Sequence, residues 1–470
     1  MIDNTQEFET KPIPALLWQY ALPSVITQII ASVYNIVDRV FLGQCVGALA
    51  IAGLAITMPI MNIVHAFGSL VGAGASARMS IVLGRRDIRW AEKILGNSML
   101  LTFIFGALFV SSWYIFADQI LSLFGASADT ISYAREYMNI VIPGMFLTTL
   151  TFNLTGLIRA SGYANKSMWI MVCGALINIA LDALFIYKLS WGISGAAWAT
   201  TISMSISSVL AISHFVLPKS FIRFRKHCWS PKLYIFRNIL AIGISPFSMN
   251  VAASAVAALL NNQLLKYGGD TAVATNGIVN SFAPLIIMLM LGICQGMQPI
   301  AGYNYGACKM DRLKSVYKLA MKWNVLIGVV GTFLVLTIPR YLAMAFTNDA
   351  ALIEQTVPAF RLVLVMCPFI GFTITNSQFF QSIDKPWIAI VTSLSRQVLF
   401  LIPMIYIVPP IFENVGWSGL LGVFFSCTIC DVMGAALSAI LMRSQRTIFQ
   451  PGYVPEERKP RKECGPKRED

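Results

Sequence analysis

MWIMVCGALINIALDALFI, residues 168–186, decides the fold. At ~1.5 Å per helical residue the stretch crosses a bilayer core of roughly 30 Å. Two polar residues interrupt its apolar course, Asn178 and Asp182. They are four apart, so on a helix they share one face, one turn from each other. An ionisable residue near a bilayer centre costs on the order of 2.5–3.5 kcal/mol on insertion scales and needs a partner or a function. A carboxylate and an amide oxygen together suit a sodium ion or a transferable proton. The competing reading is a buried aspartate satisfied by a neighbouring helix.

The rest of the chain has the same character. Of 470 residues 56% are hydrophobic and only 12% charged, where soluble domains run near a quarter charged. This composition describes a polytopic membrane protein. The net charge of +13 lies in short loops between apolar runs, which is the positive-inside pattern rather than a nucleic-acid surface. The nine cysteines are scattered, several within apolar runs (Cys173, Cys367, Cys427, Cys430). Cys427 and Cys430 have no second CxxC pair and read as small core residues. His65, His214 and His227 are isolated, so no metal is expected beyond a possible sodium ion. The first eleven residues are acidic and polar, unlike a cleavable signal peptide.

Outward from the quoted stretch, five more apolar segments complete a first half: Pro14–Leu42, Ala48–Ala77, Ile94–Phe116, Tyr133–Leu157 and Gly192–Leu217. Six follow a basic midpoint: Ile239–Leu265, Thr271–Met297, Leu319–Ile338, Thr356–Phe380, Trp387–Ile407 and Gly416–Leu441. Basic loops are expected at Arg78–Lys93, Lys219–Arg237 and Lys309–Lys318, and an acidic linker at Asp118–Asp129. The alternation predicts an all-α membrane protein of twelve spans with both termini cytoplasmic. The expected domains are a cytoplasmic N-terminus (1–12), an N-lobe of helices 1–6 (13–217), a basic cytoplasmic linker (218–237), a C-lobe of helices 7–12 (238–442) and a basic, disordered cytoplasmic tail (443–470).

The halves repeat at a shift near 222 residues. Pro23 falls on Pro246, Gly74 on Gly296, Gly84 on Gly306, and Gly192-Ile-Ser-Gly195 on Gly416-Trp-Ser-Gly419. Two parallel six-helix halves are a transporter architecture with the site near the midplane. Asp38 falls on Asn261 and Asp182 close to Phe400, so ion coupling is expected in the first half. Pro23 and Pro246 are expected to bend their helices. Arg396 and Asp431 are the remaining mid-helix charges and read as a structural bridge or as residues near the two mouths.

On these features the chain resembles the multidrug and toxic compound extrusion family of secondary transporters over about residues 12–445. The resemblance rests on the twelve spans in two pseudo-symmetric lobes, Asp38, the Asn178/Asp182 pair, and Gly296-x-Gln298-Pro299 leading to Asn304-Tyr-Gly306-Ala. It implies export of cationic or amphipathic drugs from a bacterium in exchange for sodium or protons, by alternating access and with no cofactor. It implies a cation site of Asp38, Asn178, Asp182 and Thr200, with Tyr34 and Asn153 lining the same cavity. Met171 and Met204 fit the wall, since thioethers adapt to varied ligands; plain helix packing explains them equally. The further acids of the family's NorM branch are absent from the second lobe, which offers Asn261, Asn262, Asn376 and Gln378. The chain therefore resembles the DinF-like branch more. The expected setting is the plasma (inner) membrane, among lipid, as a monomer and not an enzyme.

Two other functions compete. A flippase for a lipid-linked precursor would need a larger, strongly cationic cavity, whereas the charges of the first half are acidic. An intramembrane aspartyl enzyme would carry a Gly-Asp motif, and neither Asp38 nor Asp182 follows a glycine.

Overall fold

The computed structural model describes residues 4–45, 48–124, 131–217, 220–347, 349–450 and 453, with backbone alone at 4, 34–45, 48–56 and 123. Every regular element among these residues is helical. The first half comprises α1 (Ile13–Cys45), α2 (Ala48–Gly84), α3 (Ile88–Leu123), α4 (Ile131–Ala160), α5 (Ala164–Asp182) and α6 (Gly192–Val216). α5 runs on into a wider π turn, Ala183–Lys188. Asp87 caps α3, its side chain accepting from the Trp90 amide, which satisfies one otherwise unpaired donor of the first turn.

The second half opens with a helical run of 74 residues, Leu233–Gly306. A straight helix of that length would span ~110 Å, several times a bilayer core. Gly269, at φ 64 and ψ −161, breaks it in a conformation that glycine alone adopts cheaply. Across the break Asn276 Nδ2 donates to Asn261 Oδ1 at 3.1 Å. Fifteen residues of straight helix would hold that pair ~22 Å apart, so the chain doubles back into α7 (233–268) and α8 (270–306). Then come α9 (Met310–Thr337), α10 (Ala350–Leu364 and Cys367–Ser382, bent by 43°), α11 (Pro386–Leu394 through a π stretch Ser395–Leu401 to Ile402–Asn414) and α12 (Gly419–Ser444). Ten of the described helices are long and apolar enough to cross a membrane, and up to eleven when the bent pair is one span. Dividing the 74-residue run at Gly269 brings the number to the expected twelve.

Three loop boundaries differ from expectation. Arg78 lies inside α2, not in a loop, and is ion-paired with Asp384 of the α10–α11 turn at 2.8 Å. Its partner comes from the other half of the chain, so local hydropathy underrates how far the helix runs. The loop expected at 309–318 likewise shrinks, because Met310 already begins α9. Asp118 belongs to α3 and pairs with Arg135 at 2.5 Å.

One end of the bundle gathers the N-terminal segment and the basic turns. Phe8 is fully buried between the rings of Tyr20 and Tyr303, at centroid distances of 5.1 and 5.2 Å. Beside it Glu9 accepts from Lys309 Nζ at 2.8 Å and Tyr303 Oη at 2.8 Å, and lies 3.3 Å from Arg86. Those hydrogen bonds, Lys309 foremost, hold its carboxyl down to about 2 against burial, which pulls it upward. The residue-453 end of the described chain packs here too, Tyr453 against Tyr305. The linker between halves is tied down by Asn97, which donates to Ser230 O at 3.2 Å and accepts from the Lys232 amide at 2.9 Å.

At this end the halves meet backbone to backbone. A Cβ on Gly84 would stand 2.0 Å from the Tyr303 carbonyl oxygen, and one on Gly306 2.0 Å from that of Ile81. The two contacts are exchanged by the 222-residue repeat, and the repeat mates Gly74 of α2 and Gly296 of α8 likewise press close, on Ile239 of α7 and Ala21 of α1. Contact this close is open only to glycine. The seam is sealed.

Candidate functional site

α5 carries Asn178 and Asp182 on one face, 1% and 0% exposed. Asn178 Nδ2 donates to Thr200 Oγ1 of α6 at 3.4 Å. Asn178 Oδ1 is buried with no hydrogen-bond partner among the described residues, so an acceptor oxygen stands ready beside a carboxylate one turn away. Asp182 closes the regular part of α5, and the π turn follows at once; such turns re-aim side chains and recur at functional sites. Tyr34 and Asp38 lie on α1 outside the residues whose side chains are described.

A cavity of about 380 Å³, mouth included, opens beside this pair. Thr27 and Ala31 of α1, Met171 and Asn178 of α5, and Met204 and Ser207 of α6 form its wall. It is narrow because α5 and α6 pack closely, with the Cβ position of Gly174 only 2.1 Å from Ser207 Oγ. The structure thus brings Asn178, Thr200, Met171 and Met204 together. Asn153 stands elsewhere: fully buried on α4, it donates to Thr102 Oγ1 of α3 at 3.1 Å and does not line this cavity.

Pro23 and Pro246 each sit inside a long helix. The carbonyl of each accepts from the side chain four residues on, Thr27 at 2.9 Å and Asn250 at 2.8 Å. The arrangement is repeat-related, and a proline in either helix removes one backbone donor.

The second half holds a larger cavity, about 1040 Å³ of empty space with its mouth included. Its wall contains Arg396 and Gln397 of α11, Cys427, Cys430 and Asp431 of α12, and Met290 of α8. Arg396 Nη1 donates to Asp431 Oδ1 at 2.6 Å, making the bridge, and the pair faces the cavity. Arg396 lies in the π stretch of α11, as Asp182 lies at the edge of the π turn after α5. Gln397 and the two cysteines were not legible as a site, since neither a lone amide nor a small thiol within an apolar run signals a cavity.

Two further clusters join distant parts of the sequence. Arg159, in the last turn of α4, donates to Ser24 of α1 at 3.2 Å and to Gln295 of α8 at 2.7 Å, crossing between halves. His227, expected to be isolated, instead joins Cys228 and Glu92 in a group whose ligand atoms lie within 4.8 Å. Glu92 there is engaged by Arg225 at 3.1 Å and His227 at 3.0 Å, fixing the linker to α3.

Twelve membrane-crossing helices in two repeated halves, each with a cavity between its helices that a few polar side chains line, define an integral-membrane transporter. The model of the MatE family matches the sequence twice, at residues 23–184 and 246–407, which are 223 residues apart. The chain belongs to this family, that of the multidrug and toxic compound extrusion transporters. It is 26% identical over 446 residues to the multidrug export protein MepA of Staphylococcus aureus (strain N315), covering 94% of this chain and 96% of that one. Its fold is similar to that of a MATE-family multidrug resistance transporter of the MOP superfamily in an outward-facing conformation, with TM-score 0.88, 24% identity, and 96% and 99% of the two chains covered. It is equally similar to a MOP-superfamily transporter from Pyrococcus furiosus Vc1 (DSM3638), described as having a binding pocket of reverse polarity that suggests a different function, with TM-score 0.87, 24% identity, and 95% and 98% covered.

Proposed function

We propose that this transporter exports cationic or amphipathic small molecules across a bacterial plasma membrane in exchange for sodium ions or protons. Asn178, Asp182 and Thr200, with Asp38 from α1, hold the coupling ion. The observation that carries the reading is the Asn178–Thr200 contact, with a buried unsatisfied amide oxygen one turn from the buried carboxylate of Asp182, on a wall shared with a cavity. Carboxylate, amide and hydroxyl oxygens are the donors that a hard cation prefers. Two aspartates in one low-dielectric site repel each other, so a shared cation or proton is favoured. Loading would neutralise the first half, let its helices repack and weaken the hold on the drug. The methionines fit a wall that must accept more than one shape. Each charge moving through 100 mV supplies about 2.3 kcal/mol. With the basic end cytoplasmic, as its charge suggests, the sealed seam faces inward and the cation site loads from outside. The relationship to a multidrug export protein supports the substrate class.

The test is efflux of a fluorescent cation from proteoliposomes under an imposed sodium gradient and then a proton gradient, for wild type and Asp182→Asn. Wild type follows one gradient, and the variant loses at least tenfold of the gradient-driven rate. An Asp182→Asn variant that exports at the wild-type rate would remove the coupling role.

A further inference from the structure

The cavities of the two halves are counterparts under the repeat. Gln397, Cys427 and Cys430 follow Ala175, Met204 and Ser207 by 222, 223 and 223 residues, and all six line their respective cavities. The chemistry differs at one decisive position. Gly174, which lets α5 and α6 close upon each other, corresponds at 222 residues to Arg396. The second half thus carries a guanidinium where the first has no side chain; α12 still packs on α11 there, the Cβ position of Gly434 lying 3.2 Å from Arg396 Cβ, and the empty space beside the pair is about 1040 Å³ against about 380 Å³ in the first half.

The wall of this cavity carries a charge pair in order. The Asp431 side chain is 3% exposed and that of Arg396 27% exposed. The guanidinium has five donors, of which Nη1 serves Asp431. Next to it Gln397 Oε1 is buried with no hydrogen-bond donor among the described residues. The remaining wall mixes apolar Leu260, Ile286, Ile287 and Met290 with the amides of Asn276 and Asn280. A ligand of net charge would leave a low-dielectric cavity charged, because Arg396 and Asp431 already cancel. A ligand carrying both signs leaves it neutral and answers each group.

We propose that this second-half cavity binds amphipathic zwitterions, with the ligand's carboxylate on Arg396 and its amine on Asp431 and Gln397 Oε1. Guanidinium and carboxylate form paired, directional hydrogen bonds, and the amine supplies the donor that Gln397 lacks. The proposal rests on the exporter reading and adds to it a substrate class and a second site. The first half, with its acids, answers cations; the second answers molecules bearing both charges.

The experiment uses the full chain in detergent and two fluorescent probes, ε-dansyl-lysine, whose free end is zwitterionic, and its methyl ester, which is cationic. Arg396→Gln/Asp431→Asn together remove both charges at nearly constant volume, avoiding a lone buried charge. That double variant binds dansyl-lysine at least tenfold more weakly than wild type and the ester within twofold. Gln397→Leu, which leaves the ion pair in place, is the second variant should the first fail to fold, and weakens dansyl-lysine about threefold or more. Undiminished dansyl-lysine binding in the folded variants overturns the proposal. Competition by diheptanoyl-phosphatidylethanolamine, whose ammonium donates and whose phosphate pairs with a guanidinium as a carboxylate does, separates sources of the same chemistry: displacement assigns a lipid head group, and its lack assigns a soluble amphipath. Binding is read without any gradient. Wild-type vesicles silent under both gradients would therefore sink the exporter reading while leaving the binding result standing.

Discussion

Single residues in this protein matter chiefly through what faces them from a distant part of the chain. Glu9 is the plainest case, joining the N-terminal segment to Tyr303, Lys309 and Arg86. Its carboxyl sits at about 2, below the usual 4.5, chiefly because Lys309 hydrogen-bonds the charged form. A depressed carboxylate contributes stability that is complete above the unfolded value and is lost as pH falls towards the folded one. Glu9→Gln should therefore melt at a lower temperature than wild type near pH 6, and the gap should narrow as pH falls from about 4.5 towards 2. A gap constant over that range, read by intrinsic fluorescence in detergent, would show that Glu9 acts through shape alone. Within the membrane Asp431→Asn leaves Arg396 facing a neutral amide, and loss of one partner from a buried pair costs about 3–5 kcal/mol. The companion variant Arg396→Gln/Asp431→Asn should recover most of that loss in a thermal melt; equal instability of both would assign the cost to packing.

Helices set what those residues can reach, and here glycine decides two opposite outcomes. Gly84 and Gly306 bring α2 and α8 to within backbone contact of each other's carbonyls. Gly84→Ala puts a methyl group 2.0 Å from the Tyr303 oxygen, and overpacking of this kind costs about 1–3 kcal/mol. Gly306→Ala should behave alike, and Gly277→Ala, with nothing within 4 Å, should stay within ~0.5 kcal/mol as ordinary open positions do. Equal melting of Gly84→Ala and Gly277→Ala would mean the seam is not so tight. Such elements also show what was legible in the sequence. The spans were, because each is a continuous apolar run, and Asn178 with Asp182 followed from one polar face, whereas Thr200 came only from the family resemblance. The π turns were not, since neither Ala183–Lys188 nor Ser395–Leu401 differs in composition from ordinary helix. Arg78 read as a loop residue because Asp384 lies 306 positions away, and no local pattern announces such a partner. The larger cavity was missed for the same reason: Arg396 and Asp431 were visible as charges, but the space between them depends on how α11 and α12 pack.

Across the whole molecule the two halves are joined at one end by several independent fastenings. The glycine seam, the Arg78–Asp384 pair, the Glu9 cluster and the Arg159 bridge to Gln295 all lie on the basic side of the bundle or close to it. The proposed exchange by alternating access would require this end to part, so these contacts together would have to be strong enough to seal and weak enough to release. Several modest polar contacts and close-packed glycines meet that need better than one large apolar interface, which would be costly to expose to water. Arg78 and Asp384 are 2.8 Å apart across the seam, and so offer a place to fix it shut. In a background with the native cysteines replaced, Arg78→Cys/Asp384→Cys bridged by a short bifunctional methanethiosulfonate should fall below a tenth of its unbridged gradient-driven efflux. The monofunctional reagent, which adds bulk but no tether, should leave at least half. Undiminished efflux from the bridged protein would mean that the halves do not separate at this end, and the repeat would then need another use than alternating access.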